Sequence, residues 1–410
     1  MKILLVTDYL PTIDNYKGPS SLCFYLLQNL VETHDVRVVT TNSNKVPDHL
    51  IKKAENRLGI KYEICLRSLW MKLIISKYTG FLFNFILGNK YKYYPARYKL
   101  GRKKIKDIDL YNPDLVLIYP YQLIRVVAQL SKYRPIVIGP DSQVLGVFRT
   151  LVDSYVYSKG IQYNYSERVS CRIKLEHALV KNNCIVGLGG KEDSKVFNTC
   201  TNSNKSFFFP HPHYGIKEKR ICFDHPRLRV IITGGDDYAT YTDIRKFCAV
   251  MKSEFDLREC FLFTFIGKSW NPIVRELYGV CDVEQKDWVD DYGEEIIKHD
   301  IQIVPISNGL GTKGKTLDAM ANGLLCIGSR YAMENVACED GKSCVIYKDA
   351  TEIVEILRHI NANREKFVQI AEQGRLNVRK YHSPELCSKI LLKQYFSEKD
   401  NFDKDKYLGC

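Results

Sequence analysis

The residues best equipped for chemistry lie in the run Pro305-Ile306-Ser307-Asn308-Gly309-Leu310-Gly311-Thr312-Lys313-Gly314-Lys315-Thr316-Leu317-Asp318-Ala319-Met320-Ala321-Asn322-Gly323. An apolar stretch ends, glycines follow at alternate positions, and helical periodicity begins. Glycines at such a turn let backbone N–H groups approach a ligand without a Cβ in the way, and the helix N-terminus behind them carries partial positive charge. The combination suits a diphosphate. Lys315 and Asp318 share a helix face, so a cation and a carboxylate can address one ligand; the same spacing also describes a plain salt bridge on a surface helix.

Other candidates are scattered along the chain. Ile138-Gly139-Pro140-Asp141 ends a strand with a carboxylate. Such a group can touch a sugar, act as base toward an acceptor hydroxyl, or simply cap the next helix. Lys268 follows Gly267 after a second apolar run. Asp236 and Asp237 are adjacent rather than spaced as D-x-D, which argues against a metal-bound donor site. His211 and His213 are flanked by prolines and read as packing residues.

Elements of a definite kind are needed to position these groups. Lys2–Thr7 is an apolar strand, a loop with Gly18 follows, Leu22, Tyr25, Leu26, Leu27, Leu30 and Val31 recur at helical spacing, and Val36–Thr40 is a second strand. This is β-α-β, the opening of a parallel sheet. Further strands are expected at 115–119, 136–139 and 184–188. At Leu228–Thr233 an apolar strand runs into Gly234-Gly235 and the alternation restarts, through 262–267, 301–306 and 324–328. A chain of 410 residues is long for one core, so two domains are the natural division. The boundaries read as 1–205, a linker over 206–227, 228–378, and a closing helix with tail over 379–410. The fold class is α/β, two Rossmann-like domains with parallel sheets facing across a cleft.

Composition excludes several classes. Apolar residues make up 45 % and charged residues 26 %, which rules out disorder, fibre and a polytopic membrane protein. The N-terminus turns polar after six residues, too early for a secretory signal, so the expected location is the cytoplasm. Fourteen cysteines stand singly with no C-x-x-C pair, the mark of reduced, buried thiols rather than a zinc site or disulfide framework. The first strand leads into Asp8-Tyr9-Leu10-Pro11 rather than G-x-G-x-x-G, which speaks against a dinucleotide oxidoreductase.

The net charge of +13 is concentrated in the first half: residues 1–200 hold 30 Lys and Arg against 16 Asp and Glu. Between Leu66 and Lys106 there are eleven cations, no acid and nine aromatics. No nucleic-acid-binding motif accompanies them. Residues 69–88 are too interrupted by Lys72, Lys77 and Asn84 to span a bilayer, yet they form an apolar wedge with flanking cations and interfacial rings. The segment is expected to meet an anionic membrane surface, with a solvated face over core aromatics as the alternative.

The run Gly309-x-Gly311-x-Lys313-x-Lys315-x-Leu317-Asp318-Ala319-Met320-Ala321-x-Gly323 resembles the G-x-G-x-K-x-K-x-L-E-A-M-A-x-G signature of family 4 glycosyltransferases with the GT-B fold, in the lysine-containing branch. Lys2–Asp8 with Gly18 resembles that family's first strand and acceptor-side glycine loop. Glu334-Asn335-Val336 with Asp340-Gly341 resembles its P-E-x-x-x-D-G segment, and 380–391 its closing helix. The chain departs from the pattern at three points. Leu310 stands where most relatives have an acid against the donor sugar, the signature carboxylate is Asp318 rather than Glu, and Gly234-Gly235-Asp236-Asp237 replaces a diphosphate-holding Arg and Lys.

The resemblance implies a nucleotide-sugar-dependent glycosyltransferase that acts with retention on a glycan or polyprenol-linked acceptor, in polysaccharide or glycoconjugate synthesis; the basic aromatic segment adds the expectation of a place at the inner face of the membrane. It implies donor binding by Gly309, Gly311, Lys315, Asp318 and Glu334; with the family's Arg and Lys replaced, Lys268 is expected to add a cation for the donor, and catalysis is expected of Asp141, Lys313 and Lys315. No metal and no cofactor is expected beyond the nucleotide-sugar co-substrate. An inactive GT-B-shaped binding or regulatory subunit, or a GT-B sugar epimerase, is the alternative.

Overall fold

The computed structural model describes residues 1–13, 18–65, 98–150, 165–235 and 239–400, with the backbone alone described at 18, 19, 165–169, 171 and 397–400. The chain divides into two compact units. One comprises 1–144, 166–209 and 384–410, the other 145–165 and 210–383.

The first unit is built on seven parallel strands in the order β3-β2-β1-β4-β5-β6-β7. They are β1 (Lys2–Thr7), β2 (Asp35–Thr40), β3 (Tyr62–Ile64), β4 (Leu115–Tyr119), β5 (Ile136–Gly139), β6 (Ile185–Leu188) and β7 (Ser206–Phe208). Every residue of β4, Leu-Val-Leu-Ile-Tyr, is buried, because a parallel sheet with helices on both faces has no wet side. The chain runs outward from β1 to β3, then returns to place β4 against β1 on the other side, with Ile3 opposite Leu115. The helix Pro384–Asp400 belongs to this unit, where Cys387 and Leu391 are buried and the Ser388 hydroxyl donates to the Leu26 carbonyl at 3.4 Å.

The second unit carries six parallel strands in the order β10-β9-β8-β11-β12-β13. They are β8 (Leu228–Thr233), β9 (Phe261–Ile266), β10 (Val283–Lys286), β11 (Ile301–Val304), β12 (Leu325–Gly328) and β13 (Val345–Ile346). Its core holds Phe247, Phe263, Phe265 and Trp270, and the Trp270 indole N–H donates to the Ile266 carbonyl at 3.1 Å. The indole is fully buried with its one polar atom satisfied, as burial requires. Each unit is thus Rossmann-like, and the architecture is α/β of the GT-B class.

Two expectations are refined. The segment 206–227, read as a linker, opens with β7, whose Phe207 pairs with Gly187 of the first sheet; farther on, Ile221 and Phe223 are buried in the second unit's core. The apolar side chains of this stretch find burial at either end, so little of it is free connector. The basic aromatic segment 66–106 falls mostly outside the described residues. Of its described part, Tyr98 and Leu100 are buried, and Lys104, in the helix Arg102–Tyr111, is paired with Glu63 at 2.5 Å and lies 3.6 Å from Asp107. Tyr98 is therefore core, and Lys104 has carboxylates of its own. Among the described residues no helix is long and apolar enough to cross a membrane.

Candidate functional site

Strand order decides where a ligand can enter. In the second sheet β9 and β10 extend to one side of β8, whereas β11 to β13 extend to the other. The crevice at such a reversal, outside the strand carboxyl ends, is where open α/β sheets bind ligands. Gly234-Gly235 follows β8 there, and the turn 305–313 follows β11.

Two glycines in this crevice are required, Gly267 by close approach and Gly311 by backbone conformation. Gly267, at φ 137°, lies so near β8 that a Cβ on it would sit 1.9 Å from the Gly234 carbonyl oxygen. Gly311 is at φ 57°, in the left-handed region that glycine enters without cost. A Cβ on Gly309 would meet Lys313 Cε at 2.7 Å. The turn is therefore compact, and it feeds the helix Gly314–Ala321, whose N-cap is Lys313 in extended conformation.

The two lysines have separate places. Lys313 Nζ donates back to the carbonyls of Leu310 and Gly311, at 2.5 and 3.1 Å. Lys315 Nζ instead reaches the end of β8, donating to the Thr233 carbonyl at 3.0 Å. It stands 3.1 Å from where a Cβ of Gly234 would be. The Lys315 ammonium is thus at the switch point itself. Lys268 is exposed on the turn after Gly267, and among the described residues its ammonium forms no ion pair.

Asp318, one turn further along the helix, is buried at 7 % exposure. Its Oδ1 accepts the Tyr214 backbone N–H at 2.8 Å. Burial pushes the Asp318 pKa up to about 7, against the pull of that N–H. Tyr214 was not legible as a site residue, since 104 positions separate it from Asp318; the signal, if any, is the Pro-His-Pro-His-Tyr stretch that turns the chain there. The Tyr214 ring lies over Gly314, where a Cβ would touch it at 3.4 Å, and its hydroxyl is 3.0 Å from His211 Nε2. His382 fixes both neighbouring loops: its Nε2 accepts the Ala337 N–H at 3.0 Å, so Nδ1 carries the proton and donates to the His211 carbonyl at 2.9 Å. Burial holds His211 and His213 neutral, each pulled down to about 4. They pack, as expected of them.

Glu334 lies beside the Gly309 turn, and both its oxygens are engaged by Arg149 at 2.7 Å. The same guanidinium donates to the Gly309 carbonyl, and the Arg149 carbonyl accepts from Asn308 Nδ2 at 2.8 Å. Leu310 packs against this segment, so that a Cβ on Gly146 would sit 2.7 Å from its Cδ1. At this position the turn thus offers an apolar contact. Arg149 carries no local sequence signal, and its partner lies 185 residues away.

In the first unit Gly18 opens the helix Gly18–Leu30, and Asp141 follows β5 just before the helix Gln143–Thr150. Two carboxylates that sequence reasoning passed over hold the start of that helix. Asp193 accepts the Ser142 N–H at 2.7 Å, and Glu176 accepts the Ser142 hydroxyl at 3.0 Å. Burial raises the Glu176 pKa to about 7. Asp141 itself is half-buried, nearer the surface than either of them.

Asp236 and Asp237 lie outside the described residues. Among the described residues one trio, Cys222, Asp224 and His225, offers metal-ligating atoms within 4.8 Å of one another, but it precedes β8 at the strand amino end. A cavity of about 380 Å³ also opens at the amino ends of β8 to β10; its Lys286 and Lys298 are spent on Glu295 at 2.6 and 2.8 Å. Neither feature reaches the glycine turn. A second cavity, of about 480 Å³, adjoins that turn and is lined by Arg149, Arg330, Tyr331 and Glu334.

Residues 245–392 match the family model described as "Glycosyl transferase-like". No curated protein matches the chain. Among solved structures, HepE of Anabaena in complex with UDP superposes with a TM-score of 0.64 at 11 % identity, covering 97 % of this chain and 100 % of that one. Sucrose-phosphate synthase of Thermosynechococcus elongatus gives a TM-score of 0.68 at 13 % identity, covering 98 % and 100 %. A TarM variant of S. aureus, solved with Fondaparinux, alpha-GlcNAc-glycerol and UDP, gives 0.64 at 8 % identity, covering 96 % and 100 %. At these identities the likeness is one of fold.

Proposed function

We propose that this chain is a glycosyltransferase that binds a nucleotide-sugar through its second unit and transfers the sugar to a glycan or polyprenol-linked acceptor. The observation that carries the reading is the switch point of the second sheet. A glycine turn, a helix N-terminus, the Lys315 ammonium and the buried Asp318 carboxylate converge there. The glycosyl transferase-like match over 245–392 includes that turn and helix.

Each group has a task in this proposal. Backbone N–H groups of the turn and Lys315 stabilise the departing diphosphate, where negative charge develops as the glycosidic bond breaks. Lys313 draws the turn together through its bonds to the Leu310 and Gly311 carbonyls. Asp318 accepts hydrogen bonds from ribose hydroxyls through the oxygen Tyr214 leaves open. Asp141 contacts the acceptor or takes its hydroxyl proton. The family resemblance supports transfer with retention, and the turn with its lysines stands in for a divalent cation.

The experiment is a nucleotide screen by thermal shift on the full chain, followed by assay of UDP-sugar hydrolysis and transfer with and without EDTA. Stabilisation by a nucleoside diphosphate and turnover that persists in EDTA are expected. Stabilisation without any turnover would instead favour the inactive binding subunit, to which Leu310 packed against the Arg149 segment lends support. Stabilisation by no nucleotide would overturn both.

A further inference from the structure

The pocket of about 480 Å³ beside the Gly309 turn falls in the size range of small-ligand sites. Its charges are unevenly spent. Glu334 and Arg149, at 19 % and 16 % side-chain exposure, neutralise each other through two bonds of 2.7 Å. Arg330 has no carboxylate partner among the described residues. Its guanidinium donates to the Tyr331 hydroxyl at 2.8 Å and lies 4.7 Å from the centroid of that ring. Arg149 approaches the same ring at 5.3 Å. The phenol ring thus steadies Arg330 while leaving most of its N–H donors unspent.

A pocket built for a neutral sugar needs acceptors as well as donors, because each hydroxyl gives one hydrogen. Among the described residues that line this pocket, Glu334 is the one carboxylate and is already occupied, and guanidinium donors remain in excess. Guanidinium forks match the two oxygens of a carboxylate or phosphate, and the match is lost with a point-charge ammonium. We infer that this pocket receives a sugar bearing an oxyanion, a carboxylate or a phosphate, with Arg330 as the residue that selects it. The inference rests on the donor-site reading above, since it names the substrate class of the same crevice.

The test uses saturation-transfer NMR on the full chain with glucuronate, glucose 6-phosphate and glucose, beside a titration with UDP. At least one of the two acidic sugars is expected to bind about tenfold or more tightly than glucose, the usual worth of a charged hydrogen bond; which of the two binds identifies carboxylate or phosphate. Arg330→Gln should abolish the preference and Arg330→Lys should keep only part of it. Because Arg330 is exposed, both variants should fold, which circular dichroism checks. Equal binding of all three sugars, or a preference that survives Arg330→Gln, overturns the inference. Acidic-sugar preference without UDP binding would leave this pocket standing and remove the donor reading; UDP binding without the preference would do the reverse.

Discussion

Replacing Asp318 by asparagine should make the protein more stable and a poorer binder of nucleotide at once. The Asp318 carboxylate is held at a pKa of about 7 against an ordinary 3.8, so the folded state takes up a proton that the unfolded chain releases. Where the native state binds more protons, stability falls as pH rises. The loss begins near pH 4, where the unfolded carboxyl ionises, and is complete just above pH 7. A shift of this size corresponds to about 4 kcal/mol at most. An amide at the same position keeps an oxygen for the Tyr214 N–H and carries no charge to desolvate.

The Asp318→Asn variant should therefore match the wild type near pH 4 and melt at higher temperature by pH 8. Its nucleotide affinity should fall by about 1.5–3 kcal/mol, because an ionised acceptor for ribose hydroxyls is gone. The wild type's own affinity should rise from pH 6 to pH 8. Thermal unfolding across pH 4–8, with UDP titration calorimetry at pH 6 and pH 8, reads these quantities. A variant less stable than wild type at pH 8, with unchanged affinity, would show that Asp318 is a structural acceptor for Tyr214 and refute the reasoning.

Three further outcomes follow from the same geometry. Lys315→Ala should weaken nucleoside diphosphate binding by about 1–3 kcal/mol while barely changing nucleoside binding; equal losses for both ligands would move Lys315 away from the diphosphate. Gly267→Ala should cost more than about 2 kcal/mol, seen as a lowered melting temperature, since its Cβ would stand 1.9 Å from the Gly234 carbonyl oxygen; an unchanged melting temperature would contradict that approach. Co-sedimentation with anionic liposomes should rise with anionic lipid and fall with salt. Charge reversal at Arg102 and Lys103 should reduce it more than reversal at Lys104, whose ammonium is already paired with Glu63; sedimentation indifferent to lipid charge would discard the membrane reading.

What was legible in the sequence was local. The glycine turn, its helix and the strands around them lie within a few residues of one another, so periodicity and turn chemistry suffice to place Gly309, Gly311, Lys315 and Asp318 together. The partners that set the behaviour of these groups are remote. Tyr214 tunes Asp318 across 104 positions and Arg149 occupies Glu334 across 185, and a single sequence holds no record of such pairings. The buried carboxylates Glu176 and Asp193 were missed for a different reason. In a helix of mixed polarity a glutamate reads as solvent-facing, and only tertiary packing turns it inward. β7 escaped because its two phenylalanines, followed by Phe209, show no alternation, although an edge strand needs little.

The helix Pro384–Asp400 belongs to the first unit, although the whole of the second unit precedes it in the chain. On the ribosome the two units therefore mature in an order opposite to their numbering. The second unit has all of its strands once β13 has emerged, and its own core can close once Leu357, Ile360, Phe367 and Ala371 of the helices that follow have joined it. The first unit must wait with the Leu26 face of its opening helix uncovered until the last helix arrives. The opening helix of this half is thus covered only after the whole of the second unit has been made, which ties completion of the first unit to synthesis of the second.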